Sequence, residues 1–221
     1  MEKKEILTKD QRKVLELFAG DAVLRDTFYL AGGTALSAFY LHHRLSDDLD
    51  FFTDKEPLPR TAVETFIHTA QKAVGAREVV YQRVHDRRIF FLKCASHELK
   101  MEFTLYPFPA LKKRIRRKGV LVDSLQDIAA GKCMALQDRL EAKDFVDLYF
   151  LYTEKKMTTP ALVKYVKKKF AFTLEPLMVG SMFAKVRHIT MMPRIVKPLT
   201  LKELQTFFAA RAQELEKDIL E

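Results

Sequence analysis

Asp48 and Asp50 are the residues whose type and spacing most directly suggest chemistry. They stand two apart where an alternating run opens, in Arg44-Leu-Ser-Asp-Asp-Leu-Asp-Phe-Phe52. In a strand, residues two apart share a face, so both carboxylates point one way and Leu49 the other. Two neighbouring carboxylates repel unless a cation lies between them. Hard oxygen donors of this kind suit Mg²⁺ or Mn²⁺ shared with substrate phosphates. Just upstream, Ala31-Gly-Gly-Thr-Ala-Leu-Ser37 places Gly32, Gly33 and Thr34 between an apolar run and a helical pattern. Two glycines let the backbone approach a ligand closely. The helix that follows aims free N–H groups and its positive dipole end at the turn, as a phosphate site requires. Singly, a Gly-Gly pair is usually a plain turn and Asp-x-Asp a solvated cap. Their ordered conjunction within about twenty residues is the stronger signal.

A third acid lies in Leu99-Lys-Met-Glu-Phe-Thr-Leu-Tyr106. Alternation puts Met101, Phe103 and Leu105 on one side and Glu102, Thr104 and Tyr106 on the other. Glu102 either joins the aspartate pair or sits on a solvated sheet face. Farther on, Lys132 borders an apolar stripe. Arg139 and Lys143 continue its side if the helix is unbroken, and Asp144 and Asp147 follow. Lys132 is either a snorkelling stem or a phosphate contact, and Arg139 suits bidentate phosphate binding. Asp144 is placed to position Lys143 or Arg139 or to touch the substrate itself, and Asp147 to lock helices by a salt bridge. Arg44 either pairs with Asp48 or binds phosphate; Ser46 either contacts phosphate or caps a turn, and it lacks a partner for nucleophilic catalysis.

These residues need elements to position them. Short strands are expected at 28–31 and 49–53, and longer ones at 78–84, 88–94 and 99–106. Helices are expected at 8–19, 35–43 (capped by Thr34), 61–73, 125–140, 144–154, 160–169 and 200–218. The stretch 171–199 carries no clear pattern. The fold class is therefore α+β. A small mixed sheet with flanking helices over residues 1–110 precedes a mostly helical lobe over 111–221, which is expected to complete a cleft.

Composition narrows the classes. The chain has 221 residues, of which 48% are hydrophobic and 30% charged, which excludes a disordered or collagen-like chain. No apolar run nears the roughly 20 residues of a membrane span, and the charged start offers no secretory signal. Cys94 and Cys133 form neither a disulfide framework nor a metal spacing, so a reducing cytoplasm is expected. Thirty-eight Lys and Arg against 29 Asp and Glu give a net charge of +9. The run Lys112-Lys-Arg-Ile-Arg-Arg-Lys118 is either a solvated turn or an electrostatic rail for an RNA backbone.

Gly32-Gly33-Thr34-Ala-Leu, then Arg44-x-Ser46-x-Asp48-x-Asp50-Phe-Phe, resembles the nucleotidyltransferase AbiEii/AbiGii toxin family of the DNA polymerase β-like nucleotidyltransferase superfamily. The later run Lys132-Cys-Met-Ala-Leu-Gln-Asp-Arg139 with Lys143-Asp144-Phe-Val-Asp147-Leu-Tyr matches as well. The third acid here is Glu102, where relatives often carry Asp. The resemblance implies nucleotidyl transfer from an NTP, with Asp48, Asp50 and Glu102 on Mg²⁺ and catalytic parts for Lys132 and Asp144. It further assigns Gly32, Gly33, Thr34, Arg44, Ser46, Arg139 and Lys143 to substrate. It implies a toxin of a bacterial toxin–antitoxin or phage-defence pair, a cognate antitoxin, and an RNA (tRNA-like) or protein acceptor. The alternative is a catalytically inactive relative that only binds RNA or a partner.

Overall fold

Alternation and helical periodicity sort the chain into two compact units, one of residues 1–40 and 46–124, the other of 41–45 and 125–221. The computed structural model describes residues 5–220, and side chains as far as residue 215.

The first unit is built on a mixed seven-stranded sheet. Its strands are β1 (Tyr29–Ala31), β2 (Leu49–Thr53), β3 (Glu78–Val84), β4 (Arg87–Lys93), β5 (Glu98–Leu105), β6 (Ile115–Arg117) and β7 (Val120–Val122). They lie in the order β3-β4-β5-β2-β1-β7-β6. β2 runs parallel to β5 and antiparallel to β1. Helices α1 (Lys9–Gly20), α2 (Ala22–Thr27), α3 (Gly32–Leu36) and α4 (Arg60–Val74) complete the unit. Thr8 and Gln11 form a capping box at the start of α1. Gly75 ends α4 in the left-handed conformation.

One face of the sheet is an aromatic core. Phe18 of α1 stacks on Phe51 of β2 at 4.3 Å between ring centroids, and Phe51 stacks on Phe103 of β5 at 5.0 Å. Phe66 of α4 meets Phe18 and Phe103 edge-on. Each such ring contributes about 1.5–3 kcal/mol on burial. Because Leu49, Phe51 and Thr53 are committed to this side, Asp50 must project from the other.

The expected helix 35–43 starts earlier than Thr34 suggests. α3 begins at Gly32, directly after β1, and a π-helical turn carries it through Ser37–Leu41. The basic run also differs from a plain turn. β6 and β7 pair antiparallel across Lys118 and Gly119, both at positive φ, which is the backbone of a tight two-residue hairpin. β6 is a sheet edge, and charged edges discourage pairing with another chain.

The second unit contains α5 (Leu125–Asp138), α6 (Ala142–Lys155), α7 (Thr159–Phe170), α8 (Pro176–Ala184) and α9 (Leu201–Leu220). Segment 41–45 joins it through pairing of Arg44 with Ile195 and a Leu45 N–H bond to the Arg194 carbonyl. The pattern of 171–199 resolves into α8 and a 3₁₀ turn at Lys185–His188. No helix among the described residues is long and apolar enough to cross a membrane.

Candidate active site

Asp50 lies beside Ala31 on one side and Glu102 on the other in the strand register. Opposed residues on neighbouring strands share a face, so Asp50 and Glu102 project together. Gly32 has φ of +68°, and a Cβ built there would come 2.1 Å from the Asp50 carboxylate oxygen Oδ2. The glycine thus serves two ends. It permits the left-handed turn into α3, and it leaves room for a carboxylate against the backbone. Thr34, buried in the same turn, donates its hydroxyl to the Asp48 carbonyl. The Gln11 side chain donates to the carbonyls of Ser46 and Asp47. The loop before β2 is therefore pinned from both sides.

Each flanking acid has a cationic neighbour. Lys100 Nζ donates to Asp48 Oδ2 at 2.9 Å. Arg87 binds both oxygens of Glu102, at 2.7 and 2.6 Å, and the Thr104 hydroxyl adds a third contact at 2.7 Å. Burial pushes the Glu102 carboxyl up, but Arg87 and Thr104 outweigh it and hold it below the usual carboxylate range. Arg87 is half exposed while Glu102 is buried. Asp50 and Glu102 are oxygen donors on one sheet face, and Asp48 lies in the loop just before β2; hard carboxylate oxygens of this kind suit a divalent ion.

In the helical unit, Asp147 is the centre of a second charge cluster. Its fully buried carboxylate accepts from Arg44 Nε at 2.6 Å and from the other arm of the guanidinium at 2.8 Å. It also meets Lys132 Nζ at 2.6 Å and His43 Nε2 at 2.7 Å. Asp144, one helical turn earlier, accepts from Lys132 at 2.8 Å and from Arg139 Nε at 2.7 Å. Burial raises both carboxyls, yet the pull of Lys132 and the bonds from Arg44 and Arg139 leave both below the ordinary range. Burial pushes His43 down despite Asp147, so its ring is neutral and Nε2–H donates to the carboxylate. Among the described residues, Arg44, Lys132 and Arg139 converge on these two carboxylates. Arg139 is half exposed.

A family profile described as "Nucleotidyl transferase AbiEii toxin, Type IV TA system" matches residues 15–219. The chain belongs to the AbiEii nucleotidyltransferase toxin family. As an AbiEii protein it is a nucleotidyltransferase of a type IV toxin–antitoxin family. It is 36% identical over 166 residues, 74% of this chain and 76% of the other, to the uncharacterized protein aq_aa25 of Aquifex aeolicus. Its fold is similar to the crystal structure of a candidate nucleotidyltransferase from H. pylori, with a TM-score of 0.61 and 20% identity, covering 96% of this chain and 95% of that one. JHP933 of Helicobacter pylori is similar as well, with a TM-score of 0.58 and 20% identity over 95% and 90% of the two chains.

In this AbiEii chain, the sheet unit holds Gly32, Gly33, Thr34, Ser46, Asp48, Asp50 and Glu102, and the helical unit holds Arg44, Lys132, Arg139, Lys143 and Asp144. Arg44 pairs with Asp147, not with Asp48, because segment 41–45 packs within the helical unit. Lys132 and Arg139 both reach the Asp144 carboxylate, although α5 stops at Asp138 and α6 starts at Ala142. Sequence reasoning passes over Lys100 and Arg87, and reads His43 only as a helix-end cation. The first two were within reach. The turn between β4 and β5 sets a register that pairs Arg87 with Thr104, and Lys100 is two residues from Glu102 on the same face. His43 gives no such signal, because its partner is far along the chain.

Proposed function

We propose that the protein transfers a nucleoside monophosphate from an NTP to an RNA hydroxyl, with a tRNA-like acceptor preferred over a protein, in the cytoplasm and under control of a cognate antitoxin. The observation that carries this reading is the Asp50 carboxylate seated against the side-chain-free backbone of Gly32. Nucleotidyltransferases of this kind usually pair an NTP with a divalent metal. In this reading Asp48, Asp50 and Glu102 hold Mg²⁺ or Mn²⁺. When bound, the ion neutralises the triphosphate and eases formation of the attacking alkoxide. The backbone at Gly32 and Gly33 orients phosphate oxygens, while Thr34 and Ser46 keep the acid loop in place. Arg139 and Lys143 are assigned to phosphate, and Lys132 and Asp144 to holding Arg139 in position. The acceptor oxygen bonds to the α-phosphorus as the bond to pyrophosphate breaks. Catalysis is then mostly positioning and charge neutralisation.

The acceptor preference rests on the edge hairpin and the segment leading into it, where Lys112, Lys113, Arg116, Arg117 and Lys118 are exposed. Arg114 of the same run turns inward, its guanidinium 3.6 Å from the Tyr29 ring centroid and 3.3 Å from Asp54. Exposed cations along a strand suit a phosphate backbone, with affinity that falls as salt rises.

One observation favours a second reading. Lys100 on Asp48 and Arg87 on Glu102 already neutralise two of the acids, as an RNA- or partner-binding relative without turnover would need. Incubation with each α-labelled NTP, Mg²⁺ and total RNA separates the two. Transferase activity puts label into RNA and releases pyrophosphate, and Asp50→Asn lowers this by about 100-fold or more. Salt-sensitive RNA binding with no labelled product from the unaltered protein would overturn the transferase reading.

A further inference from the structure

Away from the nucleotide residues, the sheet unit brings together an oxygen, a sulfur and a nitrogen. One ligand atom from each of Asp10, Cys94 and His97 lies within 4.8 Å of the other two. We propose that these three side chains bind a borderline-soft divalent ion of the Zn²⁺ class.

The site is supported on both sides by fixed backbone. Cys94 and His97 flank the turn between β4 and β5, which a bond from the Cys94 N–H to the His97 carbonyl closes at 2.9 Å. Asp10 comes from the first turn of α1, beside the Thr8–Gln11 capping box. Thiolate and imidazole together select Zn²⁺ over Mg²⁺. Three protein ligands with one open position is a common four-coordinate arrangement. Bonds of about 2.0–2.3 Å would place the ligand atoms roughly 3.3–3.8 Å apart, within small side-chain adjustments of what is present. The Asp10–His97 contact, now 2.8 Å, would open slightly to admit the ion.

Proton accounting is consistent. Cys94 loses its thiol proton to solvent, and the imidazole carries its remaining proton on Nδ1, where the Ser96 hydroxyl lies 3.5 Å away. That outer contact would fix the tautomer, as metal-bound histidines require. One thiolate and one carboxylate then balance the ion's double charge. Half of the His97 side chain is exposed, so solvent reaches the site. The linkage would fasten the β4–β5 hairpin to α1. In the sequence only Cys-x-x-His at 94–97 hints at it, because Asp10 is remote in the chain.

Cobalt(II) titration of the metal-stripped full chain tests the site. The expected result is one equivalent bound with a thiolate-to-cobalt charge-transfer band, absent in Cys94→Ser and retained in Cys133→Ala and in Asp50→Asn. His97→Gln, at an exposed position, and Asp10→Asn, a near-isosteric change, should each weaken cobalt binding about tenfold or more. No band in the unaltered protein, a band that survives Cys94→Ser, or unchanged affinity in both His97→Gln and Asp10→Asn overturns the proposal. Retention of the band in Asp50→Asn keeps this result independent of the nucleotide site.

Discussion

Gly32 and Asp50 occupy mutually exclusive space: a methyl group on the first would lie 2.1 Å from Oδ2 of the second. At φ of +68° the same methyl would also be conformationally strained. Gly32→Ala is therefore expected to cost about 1–3 kcal/mol of stability and to displace the carboxylate. Transfer of labelled nucleotide should fall by roughly tenfold or more beyond what the loss of folded protein explains. Activity per folded molecule, from urea melts run beside the transfer assay, checks this.

Arg87 competes with any ion for Glu102, because it bonds to both carboxylate oxygens. Removing a cation from a partly exposed site is worth about 1 kcal/mol or somewhat more. Arg87→Ala should thus lower the Mn²⁺ concentration needed for half-saturation by roughly threefold to tenfold. Glu102→Gln should raise it. Manganese binding followed by electron paramagnetic resonance reads both shifts, and no movement in either variant would remove Glu102 from the ion's ligands.

Asp147 compensates Arg44 and Lys132 in a buried setting. Asp147→Asn leaves those cations short of a counter-charge and should destabilise the protein by about 3–5 kcal/mol. Arg139→Ala opens a half-exposed position and should cost about 1 kcal/mol or less, while weakening nucleotide use through KM. Denaturation and steady-state kinetics on the two variants separate a structural aspartate from a substrate-facing arginine.

Acidification should weaken the fold in two windows. His43 is pushed below its ordinary value by burial. The unfolded chain therefore takes up a proton first as pH falls through about 6.5, and stability declines from there toward the folded value. Asp144 and Asp147 are also depressed, by Lys132, Arg44 and Arg139 acting against burial. Their contribution is complete above the ordinary aspartate pKa of about 3.9 and is lost as pH drops below it. Urea midpoints measured across this range should lose the upper window in His43→Gln and keep the lower one.

The acid strand was legible because its information is local. A period of two places Asp50 opposite Leu49 and Phe51, and the same alternation puts Glu102 opposite Met101 and Phe103, while Asp48 stands in the loop just before β2. Family motifs and the order of elements gave the α+β class its nucleotidyltransferase identity. Nonlocal pairings were not legible. Arg44 meets Asp147 across 103 positions of sequence, a distance over which no periodicity operates. β6 and β7 are three residues each, too short for alternation to stand out within a cationic run. Thr34 suggested a helix cap by type, yet its hydroxyl ties down the Asp48 carbonyl, a use that only the folded backbone reveals.

Residues 41–45 belong to the helical unit although their chain neighbours on both sides belong to the sheet unit. A protease nick anywhere from 46 to 124 would accordingly yield two fragments still clasped by the bidentate grip of Arg44 on Asp147. Separating them would take denaturant, and dividing the gene at residue 124 would strip the helical portion of the arginine that grips its buried Asp147.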